Sequence, residues 1–135
     1  MARKTAVIQA IEGRDNGKLF TITEMPASQA EKWAFRAISA LAKAGVNVPD
    51  HVSRMGLPGL TALGVSAICA LPFSEAEPLM DEMFACIRIQ PDADHPEMTR
   101  PLIESDIEEV ATRVKLRKDW LTLHTGFSFP ADSSN

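Results

Sequence analysis

The sequence predicts an α+β domain: an N-terminal β-hairpin, about four helices, and a short second β pair just before the C-terminal helix. Apolar residues alternate on either side of Asn16-Gly17, the pattern of two strands joined by a turn. They then recur at three- and four-residue spacing in separate blocks, the pattern of amphipathic helices. Before the last block, Arg88-Ile89-Gln90 and Thr99 to Ile103 flank a loop of Pro and Asp, which suits two short strands that pair.

The hairpin comes first. Ala6 to Ile11 alternates loosely and carries Val7, Ile8 and Ile11, while Phe20 and Ile22 share one face of Leu19 to Thr23. Gly13-Arg14-Asp15-Asn16-Gly17 joins them, and Asn-Gly tolerates positive φ. The run through Lys18 has a superficial likeness to a phosphate-binding loop. That loop needs four residues between its glycines, then Lys and Ser or Thr. Here three residues intervene and Leu19 follows Lys18, so a turn is the reading.

Pro26 ends the strand region, and Ser28 with Glu31 has the spacing of a capping box. Ala30, Trp33, Ala34, Ala37, Ile38 and Leu41 then form one helical stripe, closed by Gly45. Phe35 lies off the stripe, free either to pack on a neighbouring loop or to meet a partner. Val46 to Met55 reads as a loop or short turn of helix broken at Pro49. Leu57 to Phe73 is the most apolar stretch. It is interrupted by Pro58, Gly59, Gly64 and Pro72, and is shorter than the ~20 apolar residues of a membrane span. A buried helix over Leu60 to Leu71 is expected there.

Ser74 and Glu77 have capping-box spacing, and Ala76, Leu79, Met80, Met83 and Ile87 share a helical face, with Pro78 in the first turn or so. Ser105 and Glu108 repeat that spacing ahead of a helix running to about His124. Acidic residues lead it and basic residues follow, as the helix dipole favours. Ile107, Val110, Ala111, Val114 and Leu121 define one apolar face, and Leu116, Trp120 and Leu123 fall nearly opposite. Such a helix is either sandwiched in a core or offers one side to a partner. Phe127 and Phe129 are placed to cover that second face, and residues 130–135 read as a flexible tail.

The 135 residues fit one domain spanning 1–135, with no repeat or linker to divide them. With a net charge of -4 and a pI of about 5.3, the chain is a poor match for nucleic acid, whose binders carry a basic face. Cys69 and Cys86 form no CxxC pair and read as two core thiols. Met1-Ala2-Arg3-Lys4 is basic but leads into alternating residues, so no secretory signal is expected and the cytoplasm is the default. No membrane association is expected.

Chemistry has little to work with. His51, His95 and His124 are scattered, no Gly-x-Ser-x-Gly elbow occurs, and the Pro91 to Pro96 loop lacks the Gly and closing Glu of a calcium loop. Asp81-Glu82 and Glu108-Glu109 lie beside apolar stripes and diverge around their helices, so they read as solvated faces. A non-enzyme with no catalytic residue, cofactor or metal is expected. A protein-binding module is the reading, with Phe35, Leu116, Trp120 and Leu123 as the candidate contact surface.

Three runs carry a resemblance. The run from Gly13 through Gly17-Lys18-Leu19-Phe20 and Ser28-Gln29-Ala30-Glu31-Lys32-Trp33 resembles a family of tailed-phage and prophage proteins. So do Glu77-Pro78-Leu79-Met80-Asp81-Glu82-Met83, and Thr99-Arg100-Pro101-Leu102-Ile103-Glu104 with Ile107-Glu108-Glu109-Val110. The likeness extends from about Gly13 to Phe129 and is to the tail assembly chaperones. These are encoded beside the tape measure protein and keep that long helical protein soluble while the tail tube forms around it. The resemblance implies a chaperone in the host bacterial cytoplasm whose partner is the tape measure protein. Other tail proteins, or a second copy of the chain, are further candidate partners. The alternative is a structural virion protein, such as a tail-tube or head–tail joining component. The three runs are family-recognition strings and name no client-binding residue.

Overall fold

The computed structural model describes residues 3–50 and 71–125. Four strands form one antiparallel sheet in the order β1-β2-β3-β4. They are β1 (Thr5–Gln9), β2 (Leu19–Thr23), β3 (Ile87–Gln90) and β4 (Arg100–Pro101). Three helices accompany them among the described residues: α1 (Ala27–Lys43), α2 (Phe73–Phe84) and α3 (Val110–Thr125). Residues 60–70 of the helix expected over Leu60 to Leu71, together with His51, Cys69, Phe127, Phe129 and residues 130–135, lie outside the described residues, while Leu71 itself is a buried bend just before α2.

Both expected β pairs form, and they join. Thr5 pairs with Thr23 and Gln9 with Leu19 in the first hairpin, and Ile89 pairs with Arg100 in the second. The link is β2 against β3, with Phe20 opposite Ile89 and Ile22 opposite Ile87. Those four side chains are buried on one face of the sheet, while Val7 and Arg88 on the other face are exposed. The period of two in each strand therefore becomes one apolar row across the sheet.

The first turn differs from an Asn-Gly turn with two left-handed residues. Asn16 keeps φ -50 and ψ 128, and only Gly17 takes a positive φ, of 93°. Lys18 N–H donates to the Asp15 carbonyl at 3.0 Å, giving a type II turn, which demands Gly at its third position. Before it, Gly13 to Asp15 winds into a single 3₁₀ turn.

Helix α1 buries Trp33, Ala34, Ala37, Ile38 and Leu41, the expected stripe, with Ala40 beside it. Its end is a Schellman motif: Gly45 N–H donates to Ala42 and Val46 N–H to Leu41, at 3.1 and 3.0 Å. The capping boxes at Ser28 and Ser74 do not form. Pro26 and Pro72 are the N-caps instead, and their carbonyls accept from Ala30 and Ala76 at 2.9 and 3.0 Å. Each helix thus starts ahead of its serine, because proline's fixed φ leads directly into a first turn. In α2, Ala76, Leu79 and Met83 are buried, and Pro78 lies inside the helix, beyond the first turn. Ile87, expected on that face, belongs to β3.

The core lies where the buried sheet face meets the helices. Trp33 and Trp120 are fully buried, with ring centroids 4.7 Å apart and tilted by 53°. Trp33 Nε1–H donates to the Leu79 carbonyl at 3.0 Å, which fixes α1 against α2. No described helix is long and apolar enough to cross a membrane.

Candidate functional site: the groove between the first two helices

The four candidate contact residues do not share a surface. Leu116 and Trp120 are 1% and 0% exposed and belong to the core, and Leu123 is half-buried against it. Phe35 is 43% exposed on α1. The expected faces of α3 are reversed, since Val110 and Val114 stand exposed at 76% and 45%. Of the expected inner face, only Leu121 is fully buried; Ile107, just before the helix, is partly buried. The reason is size: a helix with two apolar stripes gains more by burying Trp and Leu than Val and Ala.

What remains of the candidate surface is the ground around Phe35. A groove of 860 Å³ runs between α1 and α2 there. Glu31, Phe35, Ser39 and Lys43 line it from α1, and Ser74, Pro78 and Leu79 from α2. The helical period generates this wall: positions 31, 35, 39 and 43 are four apart, and so share one face. Arg36 also lines the groove and pairs with Glu82 at 2.6 Å. An apolar aromatic flanked by charges of both signs suits a side chain or helix of another protein.

A second constellation holds the fold together. Asp15 is fully buried in the β1–β2 loop. Its Oδ1 accepts from the Glu108 N–H at 2.9 Å and from Lys18 Nζ at 3.1 Å. Its Oδ2 accepts from the Glu109 N–H at 2.9 Å and the Thr112 hydroxyl at 2.7 Å. From the first loop, Asp15 thus braces the backbone just ahead of α3 and the Thr112 side chain in the helix's first turn, and α3 starts at Val110 rather than at the expected Ser105–Glu108 box. Burial pushes its pKa up, but the Glu108 N–H, Thr112, Lys18 and Glu109 N–H outweigh it, and the carboxyl sits well below the usual range.

The network extends on both sides. Lys18 Nζ also donates to the Asp106 carbonyl at 2.7 Å. The Asp106 carboxylate takes a bidentate pair from Arg100 at 2.9 and 2.8 Å, and accepts from the Ile103 N–H at 2.7 Å. Arg100 and the other donors hold Asp106 below its usual pKa against the effect of burial. Glu109, read as solvated, accepts from Arg14 Nε and the Arg14 N–H, both at 3.1 Å. Gly13 lies so close that a Cβ there would come within 2.8 Å of the Glu109 carboxylate. Every strong donor meets an acceptor, an arrangement suited to rigidity rather than proton transfer.

His124 closes the far end of α3. Its ring stacks on Trp120 at 3.9 Å, Nε2 accepts from the Met25 N–H at 2.8 Å, and Nδ1 lies 2.9 Å from the Trp120 carbonyl. Only a neutral ring with its proton on Nδ1 satisfies both contacts. Burial lowers its pKa, which favours that neutral form. Trp120 Nε1 has no hydrogen-bond acceptor among the described residues, and burial raises the pKa of the half-buried Cys86 thiol. In the loop after β3, His95 Nδ1 lies 2.8 Å from the Asp92 carboxylate, and among the described residues no group of three or more His, Cys, Asp or Glu could hold a metal.

Asp15, Thr112 and His124 escaped the sequence reading, since bonds spanning the length of the chain leave no local spacing to find. Comparison with family models, curated proteins and solved structures returns no match.

Proposed function

We propose that this chain is a phage tail assembly chaperone, one that binds the tape measure protein and keeps it soluble while the tail is assembled. The resemblance of the Gly13–Trp33, Glu77–Met83 and Thr99–Val110 runs to that family is the basis of the reading. The observation that carries it to a surface is the groove beside Phe35, where a large apolar side chain is 43% exposed between two helices. A tape measure protein is long and helical, and a helix laid into a groove presents apolar anchors at three- and four-residue spacing. Phe35, with Pro78 across from it, would meet such an anchor, and Glu31, Lys32, Lys43 and Glu75 would form the polar rim.

Co-expression with the tape-measure-like protein encoded nearby, followed by affinity pull-down, tests this. The long protein is expected in the soluble fraction only when this chain is present, and the two should co-elute. A long protein that stays insoluble while this chain elutes alone refutes the reading. Recovery of this chain in purified virions by mass spectrometry would instead support a structural tail component.

A further inference from the structure

We propose that two copies of this chain associate through β1, antiparallel across a two-fold axis at Val7, to make one continuous sheet. The backbone of β1 is half used. Glu24 N–H donates to the Lys4 carbonyl at 3.0 Å and Ala10 N–H to the Lys18 carbonyl at 2.9 Å, so the residues bonded to β2 are the even-numbered ones. Thr5, Val7 and Gln9 therefore aim their N–H and C=O groups away from β2, and all three are exposed. Among the described residues nothing pairs with that edge.

The two edges of the sheet are treated differently. The β4 edge is two residues long and contains Pro101, which has no N–H to offer. Short edges with proline are how natural sheets block unwanted pairing. The β1 edge, Thr5-Ala6-Val7-Ile8-Gln9, is longer and lacks charge, Pro and Gly. It has the composition of an interior strand in an edge position.

The occupant follows from the symmetry of those residues. Pairing two β1 strands at Val7 sets Val7 against Val7, Thr5 against Gln9, and Ala6 against Ile8. Each outward-facing pair exchanges both its backbone bonds. On the outer sheet face the contacts are apolar at the centre and neutral polar at the ends. On the inner face a small side chain meets a large one. No like charges oppose each other, and an isologous pairing closes on itself without continuing into a fibre.

Light scattering or sedimentation of the full chain tests this. A particle of twice the 14.7 kDa chain mass is expected across the micromolar range. Val7→Pro removes an N–H that β2 does not use, so it should yield a monomer with an unchanged circular dichroism spectrum. Should Val7→Pro fail to fold, a charge pair decides the matter. Thr5→Lys with Gln9→Lys sets like charges opposite each other and should weaken association about tenfold or more. Thr5→Lys with Gln9→Glu sets opposite charges together and should keep the dimer. A wild-type chain that is monomeric throughout overturns the proposal. So does a dimer that treats the two charge variants alike.

Discussion

Three of the four hydrogen bonds of Asp15 tie the first loop to the start of the last helix, and the fourth comes from neighbouring Lys18. Replacing Asp15 with Asn removes the charge and strands part of that donor set in a buried site. Asp15→Asn should cost about 2–4 kcal/mol, measured by chemical denaturation. The pH dependence follows from its depressed pKa. The stability it contributes is complete above the unfolded carboxyl value of ~3.9 and is lost as pH falls from there through the lower folded value. The wild-type chain should weaken steeply in acid, and Asp15→Asn should flatten that slope. His124 acts in a higher window. Its folded pKa also lies below its ordinary value, so its contribution is complete above that value and is lost as pH falls through the folded one. A protonated ring cannot accept from the Met25 N–H. Thermal melts of the wild type should therefore fall on going from neutral to mildly acidic pH, and His124→Gln should remove most of that fall. A flat wild-type profile above the carboxylate range would show that the Met25 contact does not sense pH.

At the scale of elements, the sequence was most legible where one pattern acted alone. The α1 stripe and its Gly45 end, the first hairpin and the second β pair could be read because local period and turn chemistry decide them. Helix α3 was legible as a helix but not in its orientation. Its two apolar faces have the same period, and which one turns inward depends on the volume the rest of the core leaves open. The serine caps misled for a related reason: at Ser28 and Ser74 a proline two residues earlier had already begun the helix. The orientation of α3 predicts opposite outcomes on its two faces. Trp120→Ala should destabilise by about 3–5 kcal/mol, and Val110→Lys by no more than about 0.5 kcal/mol, both from denaturation midpoints. Comparable losses at the two positions would contradict the assignment of faces.

Over the whole molecule, two hairpins far apart in sequence meet as β2 and β3, so a four-stranded sheet carries the helices on its apolar face. No local signal announces that meeting, because it is decided by the fit of Phe20 and Ile22 to Ile89 and Ile87. The same assembly turns Trp120 into the core and leaves Phe35 as the exposed aromatic of the α1–α2 groove. Client binding should therefore depend on Phe35 and not on the second face of α3. The most direct test is a pull-down of the co-expressed tape-measure-like protein with Phe35→Glu beside the wild type. The expected result is a folded variant, with melting and circular dichroism close to wild type, that retains the long protein at least about tenfold more weakly, a loss of ~1.4 kcal/mol or more. A folded Phe35→Glu variant that captures and solubilises the long protein as well as the wild type does would contradict the account.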